Sequence, residues 1–365
     1  MANNTRALRD LGQSLWLDNI TRGLLTSGTL KRYIDELAVT GLTSNPTIFD
    51  EAIKKSDFYD DAIARRAGAG LSEEELFLEL ALDDLQKAAA LFLPAHQATQ
   101  GVDGWVSLEV SPLLAHDAAG TLAEAKRLQA RAQCDNLLIK IPGTAEGVTA
   151  IEEAIFSGIP VNVTLLFSTE QYLAAAHAYV RGIERRLAGG LDPKVGSVAS
   201  IFVSRWDKAT ADKLPAALAN RVGIASAMRS YREYVALFKS ERWLALERRG
   251  ARPQRLLWAS TGTKDPALPD TLYLDALGAP DTVNTIPEKT LLAFADHGRA
   301  SAAMPTDGGD CETMLAAIEA AGINMAQLAA TLQREGEKSF NDSWTSLMGV
   351  IREKAATARD RRAEV

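Results

Sequence analysis

Eight short apolar runs, separated by longer stretches with helical periodicity, constrain this chain more than any other feature of its sequence. The runs are Ser14–Asp18, Ala38–Thr43, Gly104–Val110, Asn136–Ile141, Pro160–Phe167, Ser197–Val203, Arg255–Thr261 and Thr282–Ile286. Short apolar strands alternating with helices imply a parallel sheet whose strands are joined by helical crossovers. Eight is the number that closes such a sheet into a (β/α)8 TIM barrel, so an α/β fold of that type is expected. Barrels of this kind run from about 250 to over 400 residues. The 365 residues therefore suit one domain spanning 1–365, with no second core required.

The intervening segments read as helices. Leu71–Leu93 carries Leu76, Leu80 and Leu85 near helical spacing, and Ser72 followed by Glu75 suggests a capping box. Gly120–Arg131, Gln171–Leu187 and Ala225–Arg248 are expected as further helices. Two connections are long, about 46–103 and 206–254. Their patterns predict additional helices rather than structureless loops. Beyond the last strand, Glu288–His297 reads as a helix and 301–311 as a loop. A helical extension over about 312–365 follows, in two helices near 312–334 and 337–360, with a charged end, RDRRAEV, expected to fray.

Strand alternation then places side chains, because residues i and i+2 share a face. In NLLIKIP, Lys140 shares a face with Leu138, while Leu137, Ile139 and Ile141 point towards the helices. Lys140 thus points into the barrel near the carboxyl end of its strand, the end that carries active sites in these folds. An ammonium is costly to desolvate, so burial favours the neutral amine that attacks carbonyls. The other strands aim polar groups at the same rim. These are Asp18, Thr43 with Asn45, Glu109, Asn162 with Thr164, and Ser200 with Phe202 beside it and Arg205 just beyond. An isolated inward polar residue is usually a satisfied core group. Six strands converging on one rim are hard to explain that way.

Composition and missing motifs exclude several other readings. A net charge of −7 argues against a nucleic-acid footprint. Two cysteines, Cys134 and Cys311, make no disulfide framework. The amino terminus has no apolar signal core, and no run approaches the roughly 18 uninterrupted apolar residues of a membrane span. A cytoplasmic protein without nucleic-acid or membrane partners is expected, as a monomer or homodimer. His96, His116, His177 and His297 are scattered, with no HExxH or CxxC, so no metal or other cofactor is expected. GxSxG, GxxxxGK[ST] and GxGxxG are absent. Trp206, Trp243 and Trp344 fall in helical stretches and read as packing residues.

The motifs GLTSNPTIF, SLEVSP, LLIKIP, VNVTLLFS and ASIFVSRWD, in this order, resemble the transaldolases, and the resemblance runs from Asp18 to Thr261. It implies transfer of a dihydroxyacetone unit from sedoheptulose 7-phosphate to glyceraldehyde 3-phosphate through a lysine Schiff base, a step of the pentose phosphate pathway. By position, Lys140 matches the Schiff-base lysine. Asp18 matches the carboxylate that takes the C4 hydroxyl proton. Glu109 and Thr164 match the pair that handles water and protons. Asn45, Asn162 and Ser200 match groups that bind the dihydroxyacetone hydroxyls, with Thr43 lining the same pocket. Arg205 matches a phosphate-binding arginine.

One departure stands out. Many relatives carry a second arginine after strand seven, where this chain has WASTGTKDP. Lys264 is the candidate replacement, binding phosphate as a point charge without the arginine fork; a solvated loop lysine is the alternative. The related fructose 6-phosphate aldolases, which release free dihydroxyacetone, carry Gln where this chain has Glu109 and Tyr where it has Phe202. Both positions favour the transferase. A non-catalytic metabolite-binding barrel would be expected to lack Lys140, Glu109 or Asp18, and all three are present.

Overall fold

A computed structural model of the chain describes residues 4–300 and 303–363. Eight parallel strands close in sequence order. They are β1 (Ser14–Leu17), β2 (Val39–Leu42), β3 (Val106–Glu109), β4 (Leu137–Pro142), β5 (Val161–Leu166), β6 (Ser197–Phe202), β7 (Arg255–Ala259) and β8 (Thr282–Ile286). Pairing of β1 with β8 completes the ring. All eight strands lie where the apolar runs put them; β8 matches its run, β4 shifts by one residue to end at Pro142, and the other six are trimmed.

Alternation sorts the apolar side chains into two cores. Leu15, Leu17, Leu137, Ile139, Ile141, Val161 and Val163 join the shell between barrel and helices. Trp16, Leu138, Val198, Leu257 and Val283 fill the barrel interior. Trp16 is fully buried, and its Nε1 donates to Asp103 at 2.8 Å. With Trp105 it fills the end of the barrel opposite the mouth. Each large side chain so buried contributes on the order of 2–3 kcal/mol.

The long connections are helical. Pro46–Lys54, Asp60–Arg66 and Glu73–Ala98 lie between β2 and β3; Ser204–Thr210, Val222–Phe238 and Glu241–Glu247 lie between β6 and β7. The single helix expected over Ala225–Arg248 is two. Ser240 starts the second by accepting a bond from the Trp243 N–H at 3.3 Å. A serine inside an apolar-periodic stretch is a cap as readily as a helical residue, and here it caps. The box at Ser72 is half formed. Ser72 accepts from the Glu75 N–H, but the Glu75 carboxylate is drawn to Arg127 and Arg131 instead. The reciprocal box forms at Ser168 and Gln171.

The carboxyl-terminal region also differs from expectation. Its two helices are Cys311–Ala320 and Met325–Ala363, so the break falls at Gly322 (φ +99°) and not near 335. Only glycine takes such a φ without strain. Gly336 instead lies inside the longer helix, hereafter the closing helix. A Cβ there would stand 2.8 Å from the Leu165 side chain and 3.1 Å from Arg205 Nη1. Gly336 thus marks a close approach to the barrel, not a helix stop.

The closing helix packs on Pro46–Lys54 and Glu73–Ala98 through Trp344, whose ring meets Phe77 edge-on at 5.3 Å. Ser346 bonds Asp50 at 3.0 Å, and Gln333 Nε2 donates to the carbonyls of Gly143 and Leu165. His116 lies between Glu146 and Glu337, at 3.1 and 3.0 Å. The loop expected over 301–311 has its first two residues outside the described set; 303–310 are irregular and Cys311 begins a helix. The side chains of 361–365, most of the end expected to fray, also lie outside the described residues. Among the described residues no single helix is long and apolar enough to cross a membrane.

Candidate active site

Parallel register sets the centre of the site. Glu109 of β3 pairs with Lys140 of β4, which pairs in turn with Asn162 of β5, so all three side chains project inward at one level. Lys140 Nζ donates to Glu109 Oε2 and to the Ser44 carbonyl, each at 3.1 Å. Both side chains of this ion pair are buried. The closing helix caps them with Phe340, whose ring centre is 5.7 Å from Nζ.

Burial raises the Glu109 carboxyl above the usual carboxylate range, against the attraction of Lys140. Its second oxygen, Oε1, is buried without a protein partner, as is the Thr164 hydroxyl. Buried polar atoms are normally paired, so two on the strands flanking β4 are available for reaction chemistry.

Asp18 follows β1 on the opposite side of the lysine. Its Oδ1 accepts from the Thr43 hydroxyl at 2.8 Å, and Thr43 is 2.6 Å from the Thr285 hydroxyl. The Asp18 carboxyl is also raised, first by burial, with Lys140, Thr43 and Lys264 opposing. From the floor, Ser200 Oγ donates to Asn162 Oδ1 at 2.7 Å, and Asn162 Nδ2 donates to Ser107 Oγ at 3.1 Å.

These groups surround a cavity of about 260 Å³. Asp18, Thr43, Asn45, Lys140, Thr164, Ser200, Phe202, Arg205 and Lys264 line it. Glu109 and Asn162 do not. They stand beside Lys140 behind the lining, hydrogen-bonded to Lys140 and Ser200. Asn45 has a structural task too, because its Oδ1 caps the next helix at the Ile48 N–H, 3.0 Å away. Its amide nitrogen is left to meet a ligand.

Two backbone irregularities shape the wall. The β5–β6 register slips between Val163 and Leu166, and Leu165 adopts φ +59°. Thr164 keeps its inward aim, but Leu165 also turns in, breaking the alternation expected along β5. Ser260, just past β7, has φ +57° and a hydroxyl 2.8 Å from that of Ser204. Strained residues of this kind gather at functional sites.

The outer wall is cationic. Arg205 lies over the Phe202 ring at 5.2 Å, and desolvation lowers its affinity for its proton. Lys264 is lowered by desolvation and then by Arg205.

Sequence reasoning missed Ser339 and Phe340 of the closing helix, and Thr285 on β8. Thr285 had a signal, since TVNTI alternates, though which face points inward is ambiguous in so short a strand. The closing-helix residues had none, because no local pattern says that a helix 200 residues beyond Lys140 folds back over it. Among the described residues no group of three or more His, Cys, Asp or Glu is placed to hold a metal ion.

Fold and cavity together define a (β/α)8-barrel enzyme with a lysine–carboxylate pair at the centre of its mouth. Comparison with known proteins narrows this class. The family model for transaldolase/fructose-6-phosphate aldolase matches residues 15–351. Proteins named transaldolase match nearly end to end. That of Arthrobacter sp. (strain FB24) is 46% identical over 98% of this chain and 99% of its own. That of Renibacterium salmoninarum is 43% identical over the whole of both. That of Thermobifida fusca is 43% identical over 98% of this chain and 99% of its own. The chain belongs to the transaldolase/fructose-6-phosphate aldolase family.

Proposed function

We propose that this chain acts as a transaldolase, moving a dihydroxyacetone unit from sedoheptulose 7-phosphate to glyceraldehyde 3-phosphate and leaving erythrose 4-phosphate and fructose 6-phosphate. The observation that carries the reading is the buried Lys140–Glu109 pair at 3.1 Å, with Asp18 across the same cavity. In this mechanism Lys140 passes a proton to Glu109, whose burial makes it a better proton acceptor than a free carboxylate. The neutral amine adds to the C2 carbonyl. Glu109, with the Thr164 hydroxyl, returns a proton to the carbinolamine oxygen. That oxygen leaves as water, and a protonated imine remains.

Asp18 then accepts the proton of the C4 hydroxyl. The C3–C4 bond breaks, its electrons move into the imine, and the aldehyde departs. An enamine stays on Lys140. The acceptor aldehyde reverses these steps, with Asp18 returning its proton to the new alkoxide. Ser200 and the Asn45 amide hold the hydroxyls of the retained unit, and Asn162 orients Ser200. Thr43 orients Asp18. Arg205 and Lys264 hold the phosphate at the rim. The chain works as a single unit in this reading, its closing helix completing the mouth.

Borohydride reduction in the presence of fructose 6-phosphate, followed by peptide mapping, tests the assignment. One adduct is expected, on the peptide containing Lys140. An adduct elsewhere, or none, overturns it. Free dihydroxyacetone should not accumulate without an acceptor; its accumulation would indicate the aldolase reaction instead.

A further inference from the structure

The catalytic cavity does not end at Arg205 and Lys264. A second space of about 600 Å³ continues outward from it, and the two share Arg205, Ser260, Lys264 and Ser339. The outer space adds Lys208 and Lys213 to the wall, and its one acidic residue is Glu335. Lys208 lies three residues after Arg205 in the helix Ser204–Thr210, so the two side chains share a face.

Some cations on the surface pair with carboxylates, as Arg242 does with Glu184 at 2.7 Å. Among the described residues, none of Arg205, Lys208, Lys213 and Lys264 is ion-paired with a carboxylate. They also feel one another, since Arg205 and Lys208 lower the proton affinity of Lys264 while Asp18 opposes them, and Glu335 raises that of Arg205. Four cations without an ion-pair partner, against two nearby carboxylates, leave a net positive wall that an anion relieves.

The covalent anchor turns this space into a ruler. Every donor is held by its C2 at Lys140, so the phosphate position depends on chain length. In a six-carbon ketose the phosphate is on C6; in a seven-carbon ketose it lies one carbon further out. Arg205 and Lys264 border both spaces and suit the shorter reach. Lys208 borders only the outer one.

We propose that Lys208 is a chain-length determinant, holding the phosphate of the seven-carbon donor beyond the position used by the six-carbon donor. The proposal rests on the assignment of Arg205 and Lys264 to phosphate. The ligand class is a ketose monophosphate longer than six carbons. Lys213, further along the same wall, adds to the field there.

The test uses the full chain and its donor half-reaction. Half-saturating concentrations for borohydride-trapped adduct are measured with sedoheptulose 7-phosphate and with fructose 6-phosphate, without acceptor. In Lys208→Ala the preference for the seven-carbon donor over the six-carbon donor should fall about tenfold, the scale of one charged hydrogen bond. Lys208→Arg should restore most of it. The maximal rate of trapping should move less than the half-saturating concentration, and an unchanged melting temperature verifies folding. An equal change for both donors, or none, overturns the proposal. Arg205→Ala separates the two assignments. If it weakens fructose and fructose 6-phosphate equally, the phosphate assignment fails on its own account.

Discussion

Lys140 is held by two acceptors and capped by an aromatic ring, so substituting it removes a reactive nitrogen and unpairs a buried carboxylate at once. Lys140→Ala should abolish the adduct and lower transfer by at least about a thousandfold, the scale expected when a covalent nucleophile is lost. Residual transfer within tenfold of the parent would mean that another amine does the chemistry. Asp18 carries a different prediction, because the role proposed for it comes with a buried carboxylate. Its folded pKa lies above the ordinary aspartate value because burial outweighs the nearby cations. Between the unfolded and folded pKa values the folded state binds more protons, so stability falls as pH rises through that window and stays lower above it. Asp18→Asn, which keeps an acceptor for Thr43, should therefore raise Tm at neutral pH by roughly 1–2 °C while stopping C–C cleavage. The gain should vanish below about pH 3.8. A Tm that drops at neutral pH would show that Lys140 and Lys264 outweigh burial after all. Both residues were readable from strand alternation and motif, because the features that place them lie within a few residues of each other.

At the level of elements, the barrel and the helical character of the carboxyl-terminal extension were legible, but the unbroken length of the closing helix and its place over the mouth were not. The strands announce themselves because each is buried on both faces and bounded by turns. The capping residues were harder, since Ser240 and Gly336 have the composition of a helix interior and a helix stop respectively, and each does the other's job. Only tertiary contacts decide between those roles. Gly336 is the most telling case, because a side chain there would press on Leu165 and the Arg205 guanidinium. Helix propensity alone favours substitution by about 1 kcal/mol. Gly336→Leu should nonetheless harm the enzyme by lifting the closing helix and displacing Arg205. We expect the KM for phosphorylated donors to rise about tenfold or more, with a smaller effect on the unphosphorylated ketose. Equal effects on both would place the damage at Phe340 and Lys140 rather than at the phosphate wall. The bulge after Thr164 belongs to the same interface, because Leu165 turns inward beneath Gly336 and offers its carbonyl to Gln333.

For the whole molecule the question is how a protein of net charge −7 attracts phosphorylated sugars. The answer lies in charge placement. Some carboxylates elsewhere are matched by arginines, as in the linked set of Glu75, Glu79, Glu124, Arg127 and Arg131, whereas among the described residues the cations at the mouth have no ion-pair partner. A cleft lined by one sign of charge focuses the field and speeds encounter with an oppositely charged ligand. Salt screens such steering, the Debye length falling from about 30 Å at 0.01 M to about 8 Å at 0.15 M. Over that range kcat/KM for fructose 6-phosphate should fall several-fold, while kcat stays nearly constant because the bound phosphate is already inside the cavity. An unphosphorylated ketose should show little change in either. If salt slows both donors alike, or acts on kcat, the mouth does not steer, and the unpaired lysines serve some other end.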